Sequence, residues 1–426
     1  MSEFLIGVAT SSHQNEGNNF KNNWWDWEIG ENLERSGIAT NSWIEYKRDI
    51  DAVKSLGCNA YRFSIEWSRI FLDEYKVDKN ALKRYEDMVD YCRSKEIEPV
   101  ITLHHFTRPR WFDDKYGGLH NKHIVRFFQN YVEVLMQSFG KKVKYWITFN
   151  EPMLECVHGY LRATRPPGHK GDFDNMYKAM GNLIDSHCVA YDIIKKWNKS
   201  AMVGITKNLI DFELRYNYDL LKATIEKQVI QNHNWGILDA LYKGHLQYGI
   251  TVGGIGINKS EKNDYWKGKI DFLGINHYNV AYVEILYRTY DQIDVKTTRE
   301  NTPYTTNHLD WDIKPGSMKN TLDMIRLRYG NVKVMITESG SCDSKREDGK
   351  MKELVMDTHM REVMEWQKKN GGVLGYLWWT LVDNYEWEDG YGPKFGLFYL
   401  KKDIKIKKCG EKFKKHVAES FHYLKS

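Results

Sequence analysis

The sequence predicts an α/β fold: a single (β/α)8 TIM barrel whose working face lies at the carboxyl ends of its strands. Three observations predict it. Eight short apolar, β-branched segments recur along the 426 residues. Amphipathic segments of helical length stand between them. No Pro-, Gly- or Ser-rich linker divides the chain, so residues 1–426 read as one domain.

The strand segments are 5–10, 59–64, 99–104, 143–149, 202–207, 271–276, 332–337 and 373–380. The first helix, 44–56, repeats apolar residues at Ile50, Val53 and Leu56. The second, 80–95, carries Leu82, Tyr85, Met88 and Tyr91 at helical spacing. Helices at 122–139, 185–197, 225–241, 317–328, 352–369 and 411–423 complete about eight βα units. Two longer stretches, 153–172 and 278–314, read as irregular loops over the carboxyl face.

Composition narrows the class of partner. Hydrophobic residues make up 42 %, enough for a large packed core. The 62 basic and 57 acidic residues leave a net charge of only +5, which gives no reason to expect a nucleic-acid partner. The basic run at 401–416 reads as a solvated Lys-rich loop and helix face. Six cysteines are scattered without a CxxC pair, the pattern of free thiols in a reducing compartment. No secretion leader and no uncharged apolar run long enough to span a bilayer stand out, so a soluble cytoplasmic protein is expected. The 15 Trp and 27 Tyr mostly fill the core, although such residues also stack on pyranose rings.

The chemistry concentrates at two glutamates. Glu151 follows the apolar run of VKYWITFNEP, and Glu338 follows that of VKVMITESG. Each is followed closely by a breaker, Pro152 or Gly340. Both therefore stand at the carboxyl ends of interior strands, where a parallel barrel builds its site. Two carboxylates across one pocket suit glycosidic bond cleavage. A lone strand-end Glu is more often a salt-bridge partner; the paired context argues otherwise. His104 and His105 are neighbours on a strand and point to opposite faces, so they do not share a metal ion. No HExxH or P-loop occurs, and GGIGIN from Gly253 has the look of a turn. No metal or cofactor is expected.

With these motifs in view, the chain resembles glycoside hydrolase family 1, the β-glucosidase and β-galactosidase family. The likeness runs in order from about Phe4 to Tyr399. It rests on GVATSSHQNEG, YRFSIEWSRIF, TLHHF, TFNEP, DFLGINHY, ITESG and LWWTLVDNYEWEDGYGPKFGL. The ATSSHQNEGNN and LHHFT variants look most like a compact archaeal subgroup. The resemblance implies Glu151 as acid/base and Glu338 as nucleophile. It implies sugar contacts from Gln14, His105, Asn150, Trp379, Glu386 and Trp387. Arg62 and Tyr278 match the pair beside the nucleophile, and Trp311 matches an aromatic that stacks on the aglycone. Of Trp378 and Trp379, which alternate faces, the match assigns Trp379 to the site.

These roles fit the residue types. An arginine beside the nucleophile would favour its ionised form. A negative neighbour would keep the acid/base protonated, and a separation of roughly 5–5.5 Å would dictate retention. The implied substrate is a β-linked oligosaccharide or an aryl or alkyl β-glycoside, and a homo-oligomer is left open. Rival readings are a transglycosidase using the same glutamates and a catalytically silent sugar-binding barrel. The chain is shorter than many family members, so trimmed loops and an open aglycone cleft are expected, and it departs from the family pattern at three further points. Phe106 stands where Trp is commoner, ESG replaces ENG, and Lys394 replaces an Arg. Glu386 argues against the 6-phosphoglycosidase branch, because a carboxylate repels phosphate. Trp24, Trp25 and Trp27 are expected to pack under the first loop, and Glu66 and Glu155 receive no role.

Overall fold

The computed structural model describes residues 4–214, 219–252, 255–289, 292–298, 305–343, 349–401 and 403–426. Eight parallel strands close into a barrel: β1 (Leu5–Ala9), β2 (Ala60–Ser64), β3 (Glu98–His104), β4 (Tyr145–Asn150), β5 (Met202–Asn208), β6 (Phe272–Asn276), β7 (Val334–Ser339) and β8 (Val373–Trp379). Neighbours in sequence are neighbours in space, and β1 pairs with both β2 and β8 to close the ring. All eight strands lie where the apolar runs predict them, within two residues at each end.

The strands are apolar on both faces because both are covered. Inside, a plug takes residues from seven of the eight strands, including Leu5, Ala60, Val100, Tyr145, Phe272, Met335 and Leu377. Outside, the helices pack their apolar stripes onto the ring. On α1 (Ser42–Ser55) these are Ile50 and Val53. On α2 (Lys79–Ser94) they are Tyr85, Met88 and Val89, and the N-cap Asp78 accepts from the backbone of Asn80 and Ala81. On α3 (His123–Ser138) they are Phe128, Tyr131, Val132 and Leu135. The remaining outer helices are α4 (Phe173–Trp197), α5 (residues 220–243), α6 (Ser317–Tyr329), α7 (residues 350–370) and α8 (Lys408–Lys425).

Three segments differ from the sequence reading. The stretch 153–172 is not all loop, for Pro152–Tyr160 is helical, with Pro152 in its favoured first-turn place. Helix α4 starts twelve residues before the predicted 185, where Asp172 caps it by accepting from Asn175 N–H. In 278–314, Val280–Thr289 and Gln292–Thr298 pair antiparallel and form part of a small sheet. His245–Val252 and Ile255–Lys262 form a further antiparallel pair that the sequence reading did not include; Gly253 and Gly254, read as a turn, lie outside the described residues. Among the described residues no helix is long and apolar enough to cross a membrane. All six cysteines are unpaired and buried.

Candidate active site

Local irregularity aims both glutamates into the barrel mouth. Strict alternation on β4 would turn Phe149 inward after Ile147, but the pairing with β5 shifts register between Ile147 and Asn150. On β7 the pairing with β6 shifts between Ile336 and Glu338. A bulge of this kind re-aims the side chains beyond it. Asn150, Glu151 and Glu338 all line one cavity of about 500 Å³. The backbone of Glu151 is left-handed, with φ 47°, and so is that of two other cavity residues, Phe106 (φ 69°) and Trp387 (φ 50°). Such conformations cost about 1–3 kcal/mol each and cluster at functional sites. Gly340 lets the chain leave β7 tightly: a Cβ there would lie 2.1 Å from the carbonyl oxygen of Trp379.

The two carboxylates have unequal surroundings. Glu338 accepts from Arg62 Nη1 at 2.6 Å and from the Tyr278 hydroxyl at 2.6 Å. Arg62 is wholly buried and also donates to Thr102 Oγ1, the Thr337 carbonyl and Asn150 Oδ1. Glu151 accepts from Asn276 Nδ2 at 2.7 Å and has no ion pair among the described residues. Burial and the charge of Glu338 push the Glu151 carboxyl up to about 7. Burial also raises Glu338, against the expectation drawn from Arg62; the Arg62 charge and the Tyr278 hydrogen bond work in the opposite direction without overcoming it.

Around this pair the cavity offers a ring of polar groups. Arg62 and Asn276 both donate to Asn150 Oδ1, so the Asn150 amide turns its nitrogen toward His105 Nε2, 3.1 Å away. His105 then carries its proton on Nδ1, which has no hydrogen-bond partner among the described residues. Burial and the nearby Arg62 keep that ring neutral. It lies nearly parallel to the rings of Trp379 and Trp387, with centroids 6.0 Å from each. Gln14 Nε2 donates to Glu386 Oε2 at 3.1 Å. Burial and Asp389 push the Glu386 carboxyl up to about 8. Trp311 packs against Tyr278 at 5.3 Å on the cavity wall.

The structure thus brings Glu151, Glu338, Gln14, His105, Asn150, Tyr278, Trp379, Glu386, Trp387 and Trp311 to one cavity, with Arg62 behind them. Trp378 is fully buried in the strand–helix layer, as alternation requires. Trp24 is buried against Trp387, whereas Trp25 and Trp27 are half-buried. Glu155 pairs with His104 and Arg108, and Glu66 accepts from Ser12, Ser68 and Thr107. Both therefore support the site's walls. The sequence reading missed Asn276, Arg165 and Phe395. Asn276 ends the sixth strand inside DFLGINHY, two residues before Tyr278. That strand-end position was the available signal.

A closed parallel barrel with two buried, electrostatically coupled carboxylates at its carboxyl face is the architecture of a glycoside hydrolase. The family model of Glycosyl hydrolase family 1 matches residues 1–426, and the chain belongs to that family of enzymes. It is 30% identical over 435 residues to Beta-glucosidase 4 of Oryza sativa subsp. japonica, covering 93% of this chain and 89% of the relative. It is 30% identical over 418 residues to the 1,4-beta-D-glucan glucohydrolase of Thermotoga neapolitana, covering 93% and 96%. Among solved structures, the beta-glycosidase from Pyrococcus horikoshii superposes with a TM-score of 0.86 at 32% identity, covering 99% of this chain and 95% of that one.

Proposed function

We propose that the chain is a retaining β-glycosidase that hydrolyses β-linked glucosides, galactosides and fucosides by double displacement. The observation that carries this reading is the unequal setting of the coupled pair. Glu338 lies between a guanidinium and a phenol, which favour its charged form. Among the described residues Glu151 has only an amide donor, and it is pushed up to about 7, first by burial and then by Glu338. One group is thus equipped to attack and the other to donate a proton.

In the first step a Glu338 carboxylate oxygen attacks the anomeric carbon. The Glu151 proton passes to the glycosidic oxygen as that bond breaks. The glycosyl ester removes the Glu338 charge, so Glu151 becomes the stronger acid and gives up its role as donor. It then takes a proton from water, which attacks the anomeric carbon and releases Glu338. Asn150 and the free N–H of His105 serve sugar hydroxyls. Glu386 and Gln14 serve those at the closed end. Trp379 and Trp387 supply apolar faces, and Trp311 borders the leaving group. The rice and Thermotoga relatives, a beta-glucosidase and a 1,4-beta-D-glucan glucohydrolase, support a β-glucoside substrate. The six unpaired thiols fit a reducing compartment, the cytoplasm. Residues 1–426 are taken to act as one domain.

The deciding experiment is Glu338→Ala with an aryl β-glucoside. Turnover should fall by about 10⁴-fold or more, the scale of losing a nucleophile. Added azide should restore it and yield a glycosyl azide of inverted configuration. Near wild-type hydrolysis without azide would remove Glu338 from this role.

A further inference from the structure

The cavity extends outward beyond the sugar-facing groups, and its outer part has a different chemistry. Leu154, Val157, Leu161, Ile210 and Ile250 give it apolar sides. Among them stands Arg162, just past the helix Pro152–Tyr160, exposed and lining the cavity. Its guanidinium has no hydrogen bond and no ion pair among the described residues. Arg165, in the same cavity, is by contrast held by Glu388 at 2.7 Å.

The neighbours of Arg162 do not neutralise it. Burial holds the imidazoles of His158 and His233 in their neutral form. The charges that reach His158 come from Arg165 and Arg162, and those that reach His233 come from Arg162 and from Lys207, which burial pulls down to about 7 while the Glu151 charge works the other way. The two arginines are permanent cations. None of the cavity's carboxylates, Glu151, Glu338, Glu386, Glu388 or Asp389, is among the charges that reach either imidazole. Lys207 is only 2% exposed and donates to the Asn208 carbonyl, with no ion pair among the described residues. An apolar passage has therefore been given a cation that no described residue pairs with.

We propose that this outer part is an anion subsite for the leaving group. Its occupant is an apolar acid, an aryl or alkyl aglycone bearing one carboxylate that pairs with Arg162. The proposal rests on the β-glycosidase reading for the inner half of the cavity. A planar guanidinium matches a carboxylate through two parallel hydrogen bonds. The apolar sides hold the body of such an aglycone. They also favour a monoanion over a phosphate dianion, whose desolvation costs more.

The test compares para-carboxyphenyl and para-carbamoylphenyl β-D-glucosides, which share shape and differ in charge. Kinetics are measured for the wild type, Arg162→Gln and Arg162→Lys. Binding of the two non-hydrolysable 1-thio-β-D-glucosides is measured by calorimetry. The acid-to-amide ratio of kcat/KM should fall roughly tenfold in Arg162→Gln, the worth of one charge-assisted contact at a part-exposed site. The loss should appear in KM. Arg162→Lys should keep part of the preference, and added salt should narrow it in the wild type. The thioglucosides should show the same ratios. If the wild type binds these analogues but cleaves neither glucoside, the glycosidase reading falls and the calorimetric ratios still judge the subsite. Equal acid-to-amide ratios in wild type and Arg162→Gln overturn the proposal.

Discussion

Arg62 donates to Glu338 Oε1 through Nη1 at 2.6 Å and to Asn150 Oδ1 through Nη2 at 2.8 Å. One planar group thereby fixes a carboxylate on β7 and an amide on β4 relative to each other. A lysine, with a single point of charge, cannot hold both. Arg62→Met should cost about 3–5 kcal/mol of stability, because it leaves Glu338 buried without its cation. Arg62→Lys should keep most of the fold and still lose most of kcat. Urea unfolding and steady-state kinetics measure the two effects. Wild-type kcat in Arg62→Lys would show that the two-armed contact is dispensable.

The proton donor should matter in proportion to the basicity of the leaving group. Glu151→Gln removes the proposed acid and keeps the shape. Glycosylation should slow by about 10²–10⁴-fold for an alkyl glucoside and far less for a dinitrophenyl glucoside. Pre-steady-state bursts on the two substrates provide the comparison. An equal loss on both would leave Glu151 without an acid role.

The pH profile follows from the same residue. Glu151 is pushed up to about 7 by burial and by Glu338, and it must be protonated to act as acid. Activity is therefore retained below that value and lost as pH rises through it. kcat/KM for a poor leaving group should show an alkaline limb near pH 7, absent for a dinitrophenyl leaving group. A profile flat to pH 9 on both substrates contradicts the assignment.

Glu386 carries a cost that the sugar should relieve. Burial and Asp389 push it up to about 8, and Gln14 is the hydrogen-bond donor the protein gives it. Loss of two sugar hydrogen bonds in Glu386→Ala should lower kcat/KM by about 10²–10⁴-fold. A β-fucoside, which lacks the O6 hydroxyl, should suffer less than a glucoside. The raised pKa also sets a stability trend. The folded state binds the Glu386 proton more tightly, so its contribution is full below about 4.3, the unfolded value, and is lost as pH rises through about 8. Glu386→Gln should thus melt about 2 °C above the wild type at pH 8.5 and show less advantage at pH 5. Thermal scans at the two pH values measure it; an advantage equal at both would point away from titration of Glu386.

The barrel was legible in the sequence because its strands are buried on both faces. Each becomes a short apolar run, and the run survives whatever the loops do. The helix Pro152–Tyr160 was not legible, because its outward residues border a cavity and blur the usual stripe. The glutamates were legible as strand-end residues, yet their direction was not. The register shifts at Ile147–Asn150 and Ile336–Glu338 cannot be read from alternation. The motif resemblance supplied what periodicity could not. Asn276 was missed because a strand-end amide looks ordinary until its two acceptors, Asn150 and Glu151, are seen.

The links that define the pocket join residues far apart along the chain. Arg62 and Glu338 are separated by 276 positions, and Gln14 and Glu386 by 372. During synthesis the first strands leave the ribosome long before their partners exist. A nascent chain that ends before residue 373 lacks both the carboxylate that meets Gln14 and the β8 strand that pairs with β1. The ring of polar groups around the cavity is therefore incomplete until the last stave is in place. Ligand can stabilise only the finished molecule. Unfinished or truncated copies gain no such protection, so any ligand that fills the finished cavity selects for complete chains.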